Sequence, residues 1–273
     1  MVLSRQQLDQ FHEDGYLVIP SVVPKELCDA VVAAISEYCH VDLSNESTWY
    51  AERHAGHGIV PLHHAQALWD VRQHPAVYEA FCALYGRDDL WVSMDRVSYK
   101  PPASEATRDW HEAGVHWDCD PWATNSLGIQ GLVYLTDTGE DQGAFCCVPE
   151  IYRHLDDYRR THEKDEHRRQ PVFDASMVQA VAGGAGSLVV FNRLMPHSSL
   201  LNRSGEHRFV QYVAMSIAGG ETARSQRVTE WQEKMPPEWA IRQQVPNQQI
   251  PEPGERARLT PLGRKLVGVD TWS

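Results

Sequence analysis

At residue 90 the apolar pattern changes its period, and that change restricts the fold more than any other feature of the chain. Before it, apolar residues recur at helical spacing. Ser4 and Gln7 form a capping box, Leu3 staples against Leu8, Leu8 and Phe11 give the stripe, and Gly15 ends the helix. Tyr16 to Ile19 reads as a short buried strand. Pro24 opens a second helix with its stripe at Leu27, Val31, Ala34, Ile35 and Tyr38, and Pro75 to Tyr85 reads as a third. Residues 41–65 have little period and read as loop. After residue 90 the period is two. Strands are predicted at Trp91–Tyr99, Leu127–Thr136, Ala144–Val148, Ser187–Phe191 and 207–217, punctuated by Pro101-Pro102 and by Gly183, Gly184 and Gly186. The charged stretch 151–169 reads as a solvated helix or excursion, and the tail holds two short helical pieces, around 237–243 and 260–267. Helices, then a β-rich body, then helices imply one α+β domain, mainly β, over residues 1–273, with an antiparallel sandwich or barrel core.

Composition narrows the function. The chain of 273 residues carries a formal charge of −12, a field that repels phosphate backbones, so nucleic acid is not an expected partner. No apolar run reaches membrane-spanning length, and the N-terminus lacks an apolar signal core. The six cysteines form no CxxC pair, which reads as reduced thiols in a cytoplasmic protein; Cys146 and Cys147 read as core. The expected assembly is a monomer or homodimer acting on a small molecule. The 14 histidines stand out and invite a metal hypothesis.

An HxD pair on a strand edge aims an imidazole and a carboxylate at one point, because residues i and i+2 share a face. The chain holds four such pairs, His12/Asp14, His40/Asp42, His116/Asp118 and His154/Asp156, where random placement predicts about one. The first two lie at helix ends. The fourth lies in the charged excursion, and on a helix i and i+2 diverge. His116/Asp118 lies between strands, beside Trp110, Trp117 and Trp122. A second histidine from a distant strand completes a two-His, one-carboxylate triad, the arrangement of non-haem Fe(II) oxygenases. His197 fills that role, in the stretch from Gly186 to Tyr212 that reads strand, turn, strand. Arg208 follows 11 residues after it, and its guanidinium suits bidentate capture of a dicarboxylate. Ser199 shares the face of His197, and Tyr212 that of Arg208.

With His116-Trp117-Asp118, His197 and Arg208 in this order, the chain resembles the phytanoyl-CoA dioxygenase family of Fe(II)/2-oxoglutarate oxygenases. The opening Phe11-His12-Glu13-Asp14-Gly15-Tyr16, the strand near Gly143 and the closing Leu262-Gly263-Arg264-Lys265-Leu266 extend the resemblance over most of the chain. Arg96-Val97-Ser98-Tyr99-Lys100-Pro101 and Trp122 look like the ectoine-hydroxylase branch. The resemblance implies a double-stranded β-helix core (jelly roll, cupin-like), Fe(II), 2-oxoglutarate and O₂ as cofactors and cosubstrates, and oxidation of an unactivated C–H bond. By it, His116, Asp118 and His197 hold iron, Arg208 holds the far carboxylate of 2-oxoglutarate, and Ser199, Ser98 and Gln130 are further cosubstrate contacts. Relatives usually follow the proline after the Gly143 strand with Gly-Ser-His; here Pro149 is followed by Glu150-Ile151-Tyr152-Arg153-His154. Leu132 stands where a Trp is common. Members that halogenate lack the carboxylate kept here as Asp118, so hydroxylation is the expected outcome.

Three residues are candidates for substrate. Arg96, on one strand face with Ser98 and Lys100, suits a carboxylate; Trp122 suits a ring or cation; Tyr212 suits the cavity wall. Together they favour a small polar or zwitterionic molecule. The plainer readings are a buried ion pair for Arg96, core for Trp122 and packing for Tyr212. His63, His64 and His111 read as solvated or as supporting the site from behind. Two other functions stay open at this stage: a cupin-like zinc or manganese hydrolase or isomerase that ignores 2-oxoglutarate, and a binding protein that kept the fold.

Overall fold

The computed structural model describes residues 3–50, 58–110, 114–123, 127–162 and 169–272; His111 lies outside them. In chain order, α1 (Arg5–Asp14) and β1 (Tyr16–Ile19) are followed by α2 (Lys25–Cys39), β2 (Ile59–Val60), α3 (Gln66–Arg72) and α4 (Pro75–Tyr85). The body comprises β3 (Leu90–Val92), β4 (Val97–Lys100), β5 (Ile129–Tyr134), β6 (Phe145–Cys147), α5 (Pro149–Arg153), α6 (Leu155–Thr161), β7 (Gln179–Val181), β8 (Leu188–Asn192), β9 (His197–Ser199), β10 (Arg208–Tyr212) and β11 (Met215–Ile217). The tail adds α7 (Glu221–Gln232), α8 (Glu238–Arg242) and α9 (Pro261–Val267).

Local signals place most of these. The Ser4 hydroxyl accepts from the Gln7 N–H at 3.2 Å while the Gln7 amide oxygen accepts from the Ser4 N–H at 2.9 Å. Gly15 ends α1 at φ +77°, where an added Cβ would meet the Tyr152 ring at 2.5 Å. Pro75 stands in the first turn of α4 and Gly86 caps its end.

The strands form two antiparallel sheets. The larger runs β1-β8-β5-β10-β4-β2, with β11 pairing both β5 and β3; the smaller runs β7-β6-β9. Alternation distributes the larger sheet's side chains to two cores. Leu132, Tyr134, Val189, Phe191 and Val210 face the smaller sheet and pack with Phe145, Cys147 and Val181. Val133, Leu188, Val190 and Phe209 face the other way, onto the helices through Phe11, Ile35, Trp69 and Phe81. Each such fully buried side chain contributes about 1.5–3 kcal/mol. The result is a jelly roll with helices covering the outer face of the larger sheet.

The structure departs from the sequence reading in five places; one is the strand predicted over 207–217, which is two, β10 and β11. The strand predicted over Trp91–Tyr99 is two, β3 and β4, which pair with different partners, β11 and β10. The buried face of α2 is Cys28, Val31, Ile35 and Cys39, with Leu27 half-buried. The stretch 41–65 holds β2, and α3 and β7 fall where the sequence reading places no element. α7 has no apolar stripe; Trp231 is its buried residue. It is fastened by its arginines instead, with Arg224 donating to the Gly268 carbonyl at 2.9 Å and Arg227 to those of Leu266, Val267 and Val92. Among the described residues, no helix is long and apolar enough to cross a membrane.

Candidate metal centre

His197 sits on β9, opposite Cys147 of β6. On its other side the backbone of His116 pairs with it, each N–H donating to the other's carbonyl at 3.0 Å. Residues directly opposite in an antiparallel pair project to the same face. The two imidazoles therefore stand side by side, with ring centroids 5.1 Å apart. Asp118 follows His116 by two residues and joins them. One carboxylate oxygen lies 3.6 Å from His116 Nε2 and the other 3.5 Å from His197 Nε2. The three candidate ligand atoms lie within 4.8 Å of one another. Ligands at right angles around an ion with bonds near 2.1 Å are about 3 Å apart, so the triad needs only a small contraction to share one.

The second contacts of these groups suit a metal. The Nδ1 atoms of His116 and His197 each lie 2.9 Å from a carbonyl, of Gly114 and Met195. A carbonyl accepts only, so it keeps the proton on Nδ1 and leaves the Nε2 lone pair toward the centre. Gln130 on β5 donates from its amide to Asp118 at 2.7 Å. Burial opposes the charge on Asp118, but in the ion-free site the two imidazoles beside it and the Gln130 amide outweigh it and hold the carboxyl far below its usual range. The neighbouring Asp118 carboxylate likewise raises the pKa of His116 in the ion-free site, against desolvation. Phe191 packs on His197 with ring centroids 4.5 Å apart and limits water on that side.

Arg208 on β10 is fully buried. One terminal nitrogen donates to Ser98 Oγ at 2.8 Å, from β4 in direct register with Val210. Its Nε and other terminal nitrogen have no hydrogen-bond partner among the described residues. A buried cation without an acid costs several kcal/mol. The unused pair of donors therefore fits a carboxylate that arrives from outside. Lys100 donates to the Ser199 hydroxyl at 2.9 Å, which leaves the Ser199 proton free for a further acceptor.

A cavity of about 690 Å³ joins these groups. His116, Asp118, His197, Gln130, Ser199, Arg208, Arg96 and Tyr212 all line it. Ser98 stands behind Arg208. Trp122 does not line it: the indole packs on Trp117 and Tyr158, at 6.1 and 6.2 Å between centroids, and donates to the Arg159 carbonyl at 3.3 Å. Gln130 contacts Asp118 through its amide nitrogen, and its amide oxygen has no hydrogen-bond partner among the described residues. His63 and His64 are buried, not solvated, with burial lowering their pKa values to about 3 and about 4. Cys146 and Cys147 are core, and none of the six cysteines forms a disulfide. The other HxD pairs serve locally, Asp14 receiving Arg153 at 3.0 Å and His154 meeting Glu150 at 3.4 Å. Sequence reasoning missed Asp95, Arg169 and three residues of the tail, Trp239, Arg242 and Gln243, which also line the cavity. No local pattern marks them; the path of the tail brings the last three there.

The arrangement is that of the non-haem iron oxygenases that take 2-oxoglutarate as cosubstrate. Comparison with known proteins narrows this. The sequence model of the phytanoyl-CoA dioxygenase (PhyH) family matches residues 11–210, and the chain belongs to that family. A Dictyostelium discoideum protein described under the same family name is 24% identical over 254 residues, covering 74% of this chain and 72% of its own. Among solved structures, a hypothetical protein, JW0805 from Escherichia coli, superposes with a TM-score of 0.71 at 16% identity, covering 97% of this chain and 82% of its own. The epimerase SnoN, solved with Fe3+, alpha ketoglutarate and nogalamycin RO, has a TM-score of 0.55 at 16% identity, covering 78% and 83%.

Proposed function

We propose that this protein is a single-domain Fe(II)- and 2-oxoglutarate-dependent dioxygenase that hydroxylates an unactivated C–H bond of a small polar metabolite or natural product. The overall change balances as substrate C–H plus 2-oxoglutarate plus O₂ to substrate C–OH plus succinate plus CO₂, one oxygen atom going to each organic product. Bound iron supplies the redox chemistry of this exchange. The chain's own residues do the rest. His116, Asp118 and His197 would hold the ion. Gln130 orients the Asp118 carboxylate. Arg208, steadied by Ser98, receives the far carboxylate of 2-oxoglutarate, and Ser199 adds a hydroxyl beside it. Asp118 also occupies the position a halide would need, which favours hydroxylation over halogenation.

The observation that carries this reading is the buried, acid-free guanidinium of Arg208 lining the same cavity as the triad. Its test is turnover of 2-oxoglutarate by the Fe(II)-loaded protein in air, followed as succinate. Slow succinate formation is expected even without the true substrate, and its loss is expected in Asp118→Ala. Undiminished succinate formation by Asp118→Ala overturns the assignment. Tight metal binding with no effect of 2-oxoglutarate points instead to a cupin-like hydrolase or isomerase.

A further inference from the structure

The cavity holds a second buried guanidinium with unsatisfied donors. Arg96 is only 8% exposed, and its Nε and NH1 have no hydrogen-bond partner among the described residues. Its neighbour Asp95 does not close the gap: the carboxylate stays 4.0 Å from Arg96 Nε and accepts instead from the Arg96 backbone N–H at 2.7 Å. Burial also raises the Asp95 pKa, toward its neutral form. Trp239 of α8 stacks on the guanidinium, 5.2 Å from its ring centroid. Stacking occupies the flat face of the group and leaves its N–H edge for a planar acceptor.

The setting reinforces this. Four arginines but only two aspartates line the cavity, and one of those aspartates is Asp118 of the triad. A positive cavity in a chain of charge −12 focuses its field on anions that enter it. In the proposed reading Arg208 takes the far carboxylate of 2-oxoglutarate, which leaves Arg96 without an anion of its own. Arg96 calls for another.

The clamp also has a shared support. Glu252 accepts from the backbone N–H groups of His63 at 2.5 Å and His64 at 2.8 Å, and His64 Nε2 lies 2.8 Å from the Met235 carbonyl, just before α8. Arg72 donates to the His63 carbonyl at 2.6 Å and to the carbonyl of Asp95. One buried network thus ties the loop bearing Arg96 to the tail bearing Trp239. The tail lies outside residues 11–210, the part matched by the family's sequence model.

We propose that the substrate carries a carboxylate that docks on the edge of Arg96, clamped by Trp239 with Arg242 beside it, so that this tail selects anionic substrates. The proposal rests on Arg208 serving 2-oxoglutarate. The test uses the Fe(II) protein without oxygen, in which bound 2-oxoglutarate gives a charge-transfer band. Matched acid and amide pairs, hexanoate with hexanamide and phenylacetate with phenylacetamide, are then titrated, and perturbation of the band is read. The acids are expected to bind about tenfold or more tighter than the amides. Arg96→Gln is expected to abolish that preference and leave 2-oxoglutarate affinity nearly unchanged. Trp239→Leu is expected to weaken the acids about threefold. Equal binding of acids and amides, or no perturbation by either acid, overturns the proposal. So does a loss of 2-oxoglutarate affinity in Arg96→Gln as large as in Arg208→Gln, which assigns Arg96 to the cosubstrate. Absence of the band in the unmodified protein defeats the underlying oxygenase reading instead.

Discussion

The cavity has two walls built on different terms. One is made of strands: His197, Arg208 and Gln130 sit on β9, β10 and β5, and His116 is pinned to β9 by two backbone hydrogen bonds. There the three candidate metal ligands have partners, Nδ1 on carbonyls and the Asp118 carboxylate on Gln130, while Arg208 keeps two donors open. The other wall is the tail, where a five-residue helix brings Trp239 and Arg242 over Arg96. Arg242 pairs with Glu238 at 2.7 Å, while two nitrogens of Arg96 have no hydrogen-bond partner among the described residues. The difference separates two tasks. The strand wall holds fixed chemistry and is pre-organised; the tail wall recognises something variable and is completed by what binds.

The sharpest way to break this division is to remove a group from the strand wall. Asp118→Ala is expected to lower Fe(II) affinity by more than about 100-fold, beyond what loss of a supporting contact does, as measured by metal titration. Gln130→Leu is expected to cost about 10–100-fold in the same titration, because it frees the carboxylate without removing it. If Gln130→Leu leaves metal affinity intact, the residue belongs to the cosubstrate and not to Asp118.

The buried network behind the tail predicts a pH effect. His63 and His64 titrate near 3 and 4 in the fold because burial disfavours their charge. In the unfolded chain they take up protons near 6.5, so between that pH and about 4 the unfolded state binds more protons. Stability is therefore full above about 6.5 and falls as pH drops, by a few kcal/mol in all at pH 4. Denaturant unfolding of the metal-free protein at several pH values measures it, and His63→Leu is expected to flatten the slope. An unchanged slope contradicts the account of this network.

The smallest effect on chemistry is expected at Trp122. Trp122→Leu is expected to lower stability by about 1–3 kcal/mol through lost packing on Trp117 and Tyr158, with turnover of 2-oxoglutarate nearly unchanged. Trp239→Leu, at a more exposed position, is expected to do the reverse. Swapped outcomes would return Trp122 to the substrate and remove the tail from it.

The strand wall was legible in the sequence for the same reason that it is rigid. His116 and Asp118 share a face because strands alternate, and Arg208 follows His197 by one strand and one turn. Local rules also placed α1 through its Ser4 cap and α4 through Pro75. What escaped depends on contacts between distant segments. α7 is held by arginines reaching carbonyls in β3 and α9, and no periodicity encodes that. The spacing of Gln130 cannot show its 2.7 Å contact with Asp118. Trp122 and Trp239 look alike as residues; only the chain path puts one in the core and the other over Arg96.

The most direct measurement is an anaerobic titration of the Fe(II) protein with 2-oxoglutarate, followed by its visible absorption, alongside Arg208→Gln. A keto acid chelating the iron of the His116, Asp118 and His197 site gives a saturable charge-transfer band, and the variant should need about 100-fold more 2-oxoglutarate to reach it, having lost two charge-assisted hydrogen bonds. No band in the unmodified protein, or equal affinity in both proteins, would contradict the account.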